Sequence, residues 1–173
     1  MSRSYTIPLS GLKEGHHTID FEIDKEFFEQ FEESEVKEGS LIANIEMDKR
    51  SSHLDMIIRV SGSVRISCDR CLEMFSQPIN SENRLLVKFE KSFEDADPDI
   101  LSFPADANEL DLQQQIYEFI MLALPIKRVH PDDDNGNSTC DPLMLEKLEE
   151  LIVDDENDND PRWDELKKLM NDN

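Results

Sequence analysis

Positive charge is scarce in this sequence: 18 Lys and Arg stand against 40 Asp and Glu, for a net charge of −22. Affinity for a phosphate backbone comes largely from Lys and Arg displacing condensed counterions. So anionic a chain is excluded as a general nucleic-acid binder, and it can reach RNA only through a local basic patch or a protein intermediary. A basic protein, by contrast, suits such a surface, because complementary fields speed encounter. Glycine is also scarce. The five glycines, at 11, 15, 39, 62 and 136, are dispersed and form no phosphate-cradling loop. No apolar run approaches the roughly 20 residues that span a bilayer. Met1-Ser2-Arg3-Ser4-Tyr5 leads into polar sequence without the apolar stretch of a signal peptide, so a cytoplasmic protein is expected. Three cysteines cannot pair fully, and a reducing cytosol keeps them as thiols. A disulfide framework is thereby excluded, and thiol or metal chemistry is left to consider. No nucleophile-and-base pattern stands out either. His16, His17 and His53 are remote in sequence from the cysteines and adjoin turn-like stretches, which predicts surface positions.

What is present falls into two parts. The first half reads as strands. His17–Asp24 alternates, with Ile19, Phe21 and Ile23 apolar between polar neighbours, and further strands are predicted at Leu41–Asp48, Leu54–Ile66 and Ile79–Phe89. Short polar connections suit an antiparallel meander. Phe27, Phe28 and Phe31 have helical spacing and predict a short helix or turn over one end of the sheet. Gly62, flanked by Ser61 and Ser63 inside a long strand, predicts a bulge or sharp bend. Ile100–Phe103 predicts another short strand, ended by Pro104. Asp111 and Gln114 have capping-box spacing ahead of Leu112, Ile116, Phe119, Ile120 and Ala123, one apolar face of a helix over 111–124 that stops at Pro125.

Beyond Pro125 the composition changes. Residues 131–173 hold 15 acidic and 4 basic residues, about half of the chain's net charge. Two Asp-Pro pairs, Asp141-Pro142 and Asp160-Pro161, mark helix starts ahead of Leu143, Leu145, Leu148 and Leu151 and of Trp163, Leu166 and Leu169. Between them, the charge run from Asp154 to Asp160 is expected to stay solvated. The expected fold class is α+β: a curved antiparallel sheet, open and barrel-like, packed by one major helix, with an acidic helical C-terminal tail. The expected division is a core domain over residues 1–128 and a tail with two short helices over 129–173.

Cys68 and Cys71 stand where the strand pattern breaks, so a knuckle between two strands is expected. With His130 and Cys140 they make up a Cys₃His set, a known type of structural zinc site. The spacing of the second pair is looser than usual, and its loop carries Asp132, Asp133 and Asp134. Two alternatives stay open: a redox pair, for which the usual βαβ context is missing, and a turn with inert, partly buried thiols. Arg59, Arg65, Arg70 and Lys88 offer a local basic patch, or else solvated strand positions offset by Asp69, Glu73 and Glu82. Trp163, Leu166 and Leu169 with Arg162, Lys167 and Lys168 offer a docking helix, or else ordinary packing within the chain.

Three motifs in order, Cys68-Asp69-Arg70-Cys71-Leu72-Glu73, Leu122-Ala123-Leu124-Pro125-Ile126-Lys127 and Asp160-Pro161-Arg162-Trp163-Asp164-Glu165-Leu166-Lys167-Lys168-Leu169, together with the β-rich half before them, resemble the bacterial YceD-like proteins. The resemblance implies a role in the accumulation of large-subunit (23S) ribosomal RNA and no enzymatic activity. Many members carry a further cysteine-rich stretch after the Leu-Pro motif; here it holds only His130 and Cys140, so the resemblance supplies no common metal set. The expected partners are a large-subunit rRNA precursor or a basic ribosomal protein, with Arg65, Arg70, Arg162, Trp163, Lys167 and Lys168 as candidate contacts and neither a membrane nor a small-molecule substrate. The competing expectation is a zinc- or thiol-dependent enzyme or sensor centred on Cys68 and Cys71.

Overall fold

The computed structural model describes residues 4–90, 101–104 and 107–151. Its elements are β1 (Thr6–Pro8), β2 (Gly15–Ile23), α1 (Lys25–Phe28), β3 (Glu38–Lys49), β4 (His53–Ser67), β5 (Met74–Glu90), β6 (Leu101–Pro104), β7 (Glu109–Asp111), α2 (Gln113–Leu122) and α3 (Pro142–Leu151). The fold is α+β and rich in strand. A five-stranded sheet runs in the order β2-β3-β4-β5-β6, and β1 pairs with β7 as a separate two-stranded ribbon. No helix among the described residues is long and apolar enough to cross a membrane.

Period-2 patterning drives the sheet. On β3, Leu41, Ala43, Ile45 and Met47 turn to one face, as do Leu54, Met56, Ile58, Val60, Val64 and Ile66 on β4, and all are buried. Burying one such aliphatic side chain contributes roughly 1.5–3 kcal/mol, so register is strongly specified, since a slip by one residue would turn the whole set to solvent. Over this face lie α1 and α2. Asp24 caps α1, its carboxylate accepting from the Glu26 N–H at 3.0 Å, and Phe27 and Phe28 are fully buried. Tyr5 meets Phe27 edge-on with ring centroids 4.8 Å apart, and Phe31 stacks on Tyr117 of α2 at 3.9 Å. Leu112, Ile116 and Ile120 make the buried side of the α2 segment.

Three features depart from the expectations. The strand β6 runs parallel to β5, pairing Val87 with Leu101 and Glu90 with Pro104, so the sheet is not wholly antiparallel. Alternation reports which face a side chain takes, not which way its strand runs. The sheet is open, as expected, with β2 and β6 as its edges among the described residues. Gly62 makes no bulge: Leu41 and Ile79 pair with it in uninterrupted register, and what its position requires is a φ of +140°. Finally, Asp111 accepts from the Gln113 N–H at 2.9 Å, but the Gln114 amide reaches forward to Glu118 and closes no box. Asp141 does cap α3, accepting from the Leu143 N–H at 3.0 Å. The helix predicted after Asp160 lies outside the described residues.

A buried cysteine and histidine cluster

The turn that joins β4 to β5 is built by its own backbone. The Cys68 N–H donates to the Glu73 carbonyl and the Leu72 N–H to the Cys68 carbonyl, both at 2.9 Å. Leu72 takes a φ of 64°, the left-handed region that non-glycine residues rarely enter, and this folds Cys68 and Cys71 to one side of the turn. A second segment then lies across it. The Asp69 N–H donates to the Arg128 carbonyl and the Arg128 N–H to the Asp69 carboxylate, both at 2.7 Å, while the Arg128 guanidinium pairs with Glu35. His130 follows, its ring 4.8 Å from that of Phe75. The loop beyond is closed by a bridge between Asp132 and Ser138 and delivers Cys140.

Four donor atoms thus converge from well-separated parts of the chain. The sulfurs of Cys68 and Cys140 are 3.7 Å apart, and His130 Nδ1 lies 3.4 Å from the Cys71 sulfur and 3.7 Å from that of Cys140. All three thiols are buried and free. Burial pushes the Cys68 thiol up, but the backbone N–H groups of Cys71, Arg70 and His130, helped by the His130 ring, outweigh it and bring its pKa down to about 6. Cys140 is pushed up by burial and by the two neighbouring sulfurs, against a hydrogen bond from Ser138. Chemically, such a set offers soft donors to a metal ion, or one thiolate among thiols open to oxidation.

The structure thus brings together all four residues named from sequence as a ligand set. His16, His17 and His53 stand apart from it; the His17 ring meets the Lys13 carbonyl at 2.8 Å and His53 the Ser52 hydroxyl at 3.0 Å. The basic residues do not converge. Lys88 pairs with His53 and Arg65 with Ser76, at opposite ends of the β4–β5 ladder, roughly 40 Å apart at about 3.3 Å per residue. Arg59, between them, is engaged by Glu46 at 2.7 Å and Glu82 at 2.6 Å. Arg70 reaches the Ser138 hydroxyl at 3.5 Å. Arg162, Trp163, Lys167 and Lys168 lie outside the described residues. Because the Arg59 pairs are solvent-exposed, Arg59→Ala is expected to leave stability nearly unchanged, read as the urea midpoint at low and high salt; a clear fall in the midpoint would mean that the pairs across the three-strand ladder hold it together.

Sequence reasoning missed the ribbon β1–β7, whose three-residue strands are too short to show a period, and the Asp69–Arg128 pairing, for which no local pattern exists. It also missed that Ile126 of the Leu-Pro motif stands exposed, a property that helical periodicity cannot report once α2 has ended; Leu122, the last residue of α2 and off its predicted apolar face, is exposed too.

A family model described as large ribosomal RNA subunit accumulation protein YceD matches residues 56–170. The match begins inside β4 and takes in the knuckle, α2 and the loop bearing His130 and Cys140. No curated protein and no solved structure matches the chain.

Proposed function

This chain belongs to the YceD family, the large ribosomal RNA subunit accumulation proteins, and from that membership we propose that it is a cytoplasmic, non-catalytic factor that acts by binding a basic protein of the large subunit. The family name supports a part in large-subunit rRNA accumulation, and the charge supports a protein as the direct partner. With a net charge of −22, the chain repels phosphate. The observation that carries the choice is the state of four of the six arginines among the described residues: Arg59 is held by Glu46 and Glu82, Arg84 by Asp55 at 2.8 Å, Arg50 by Asp48 at 3.1 Å and Arg128 by Glu35. Cations already engaged by carboxylates have little to offer phosphates. The surplus carboxylates, concentrated toward the C-terminus, suit Lys- and Arg-rich extensions of a ribosomal protein awaiting its rRNA site.

Direct contact with rRNA precursor is the second form of this proposal, with Arg65 and Arg70 at the knuckle end of the sheet as its contacts. A tagged pull-down across a sucrose gradient, with and without nuclease, separates the two. Recovery of one basic large-subunit protein that survives nuclease and falls steeply with salt is the expected result. Recovery of precursor rRNA without such a protein would overturn the protein-partner form, and recovery of neither would overturn the assembly role. The reading as a thiol-dependent enzyme or sensor has one observation in its favour, the Cys68 pKa of about 6. Against it, a nucleophilic thiolate needs access, and Cys68 is 0% exposed.

A further inference from the structure

We propose that Cys68, Cys71, His130 and Cys140 form a closed, structural zinc site that clamps the segment after α2 onto the β4–β5 turn. The four ligand atoms all lie within 4.8 Å of one another. Around a tetrahedral zinc with Zn–S of about 2.3 Å and Zn–N of about 2.0 Å, sulfur–sulfur edges measure about 3.8 Å and sulfur–nitrogen edges about 3.5 Å. The separations of 3.7 Å for Cys68–Cys140, 3.4 Å for Cys71–His130 and 3.7 Å for Cys140–His130 match those edges.

The cluster has little other reason to exist. Thiols are weak hydrogen-bond donors, so three of them gain little by facing one another and an imidazole. A Cys68–Cys140 disulfide would require a bond of about 2.05 Å and would strand Cys71. Nor does packing account for the turn. Leu72 holds its left-handed backbone with a side chain that is 70% exposed, so apolar burial does not offset the strain. The turn does bring two sulfurs to one side and points the Arg70 N–H at the Cys68 sulfur, 3.4 Å away, a contact that stabilises a metal-bound thiolate.

The loose spacing of the second ligand pair also finds its place. The Asp132–Ser138 bridge folds the intervening residues into a compact loop, so His130 and Cys140 return to the same point. Asp133 is occupied within that loop, accepting from the Asn135 and Asn137 N–H groups at 2.9 and 2.7 Å. The donor set is therefore three sulfurs and one nitrogen, which selects zinc over magnesium or calcium. Four protein ligands leave no open position for water or substrate, which makes the site structural rather than catalytic.

The test is elemental analysis of the full chain, purified under reducing conditions without added metal. One zinc per chain is expected, and exchange with cobalt(II) should give the thiolate-to-cobalt charge-transfer band and the intense visible bands of tetrahedral cobalt. Cys140→Ser should lower zinc affinity at least about tenfold. Should that variant fail to fold, the cobalt spectrum of the unaltered chain decides. A cooperatively folded chain with neither zinc nor a cobalt spectrum would overturn the site. So would stoichiometric iron, or an intact mass two hydrogens short that reports a native disulfide.

Discussion

Gly62→Ala is expected to cost more than about 4 kcal/mol, a loss reserved for a few severe mechanisms. A Cβ built at Gly62 falls 2.3 Å from the Ser40 carbonyl oxygen and 2.7 Å from Leu41 Cα. Both are backbone atoms of β3, and neither can withdraw without opening the ladder that pairs Leu41 with Gly62. The φ of +140° adds a second penalty that an L side chain cannot avoid. Set against a total stability of about 5–15 kcal/mol, that loss moves the thermal midpoint by ten degrees or so or leaves the chain insoluble. Gly136→Ala is the matched control. Its φ is +81°, but nothing lies within 4 Å of the added carbon, so only the conformational cost of about 1 kcal/mol remains. Urea midpoints of the two variants, compared with the unaltered chain, check the contrast; near-equal losses would show that backbone conformation alone, not the approach of β3, makes Gly62 necessary.

The same glycine shows how far sequence reasoning reaches. Its place between two serines inside a long strand-patterned segment marks an unusual strand position, but a bulge and a close approach share that signature, and only the neighbouring strand distinguishes them. Elements with several turns or several alternations were recoverable for a related reason. The apolar faces of β2, β3 and β4, the Ile116 and Ile120 face of α2, and the Asp141 cap each rest on residues within one element. What depended on partners distant in sequence was not recoverable: the parallel direction of β6, the ribbon of β1 with β7, and Glu46 as the second carboxylate on Arg59. The cluster sits between these cases. Cys68 and Cys71 announce a turn by their spacing, and His130 and Cys140 can be nominated by residue type. Their convergence requires the Asp69–Arg128 pairing, which has no local signature.

That pairing makes the two ends of the acidic region unequal, and truncation should expose the difference. Deletion of residues 154–173 removes a segment dominated by Asp, Glu and Asn, and the remaining chain is expected to keep one cooperative thermal transition near that of the full protein. Removing like charge relieves self-repulsion, which opposes whatever packing is lost. Deletion of residues 129–173 is a different operation. It takes away Cys140, 3% exposed, together with His130 and the partly buried Val129, Met144 and Leu145 that pack on the core. Cys68, Cys71 and Phe75 are then uncovered at the end of β4 and β5. The expected loss is at least about 3 kcal/mol, or about 10 °C in midpoint for a chain of this size, compounded by release of any bound metal, because metal affinity acts as folding free energy. Differential scanning calorimetry of the two truncations, with and without a chelator, separates the contributions. A chelator should lower the midpoint of the 154–173 deletion toward that of the shorter form and leave the shorter form unchanged. If both truncations melt together with the full chain, the segment bearing His130 and Cys140 adds nothing to the fold, and the boundary between core and tail belongs at residue 128.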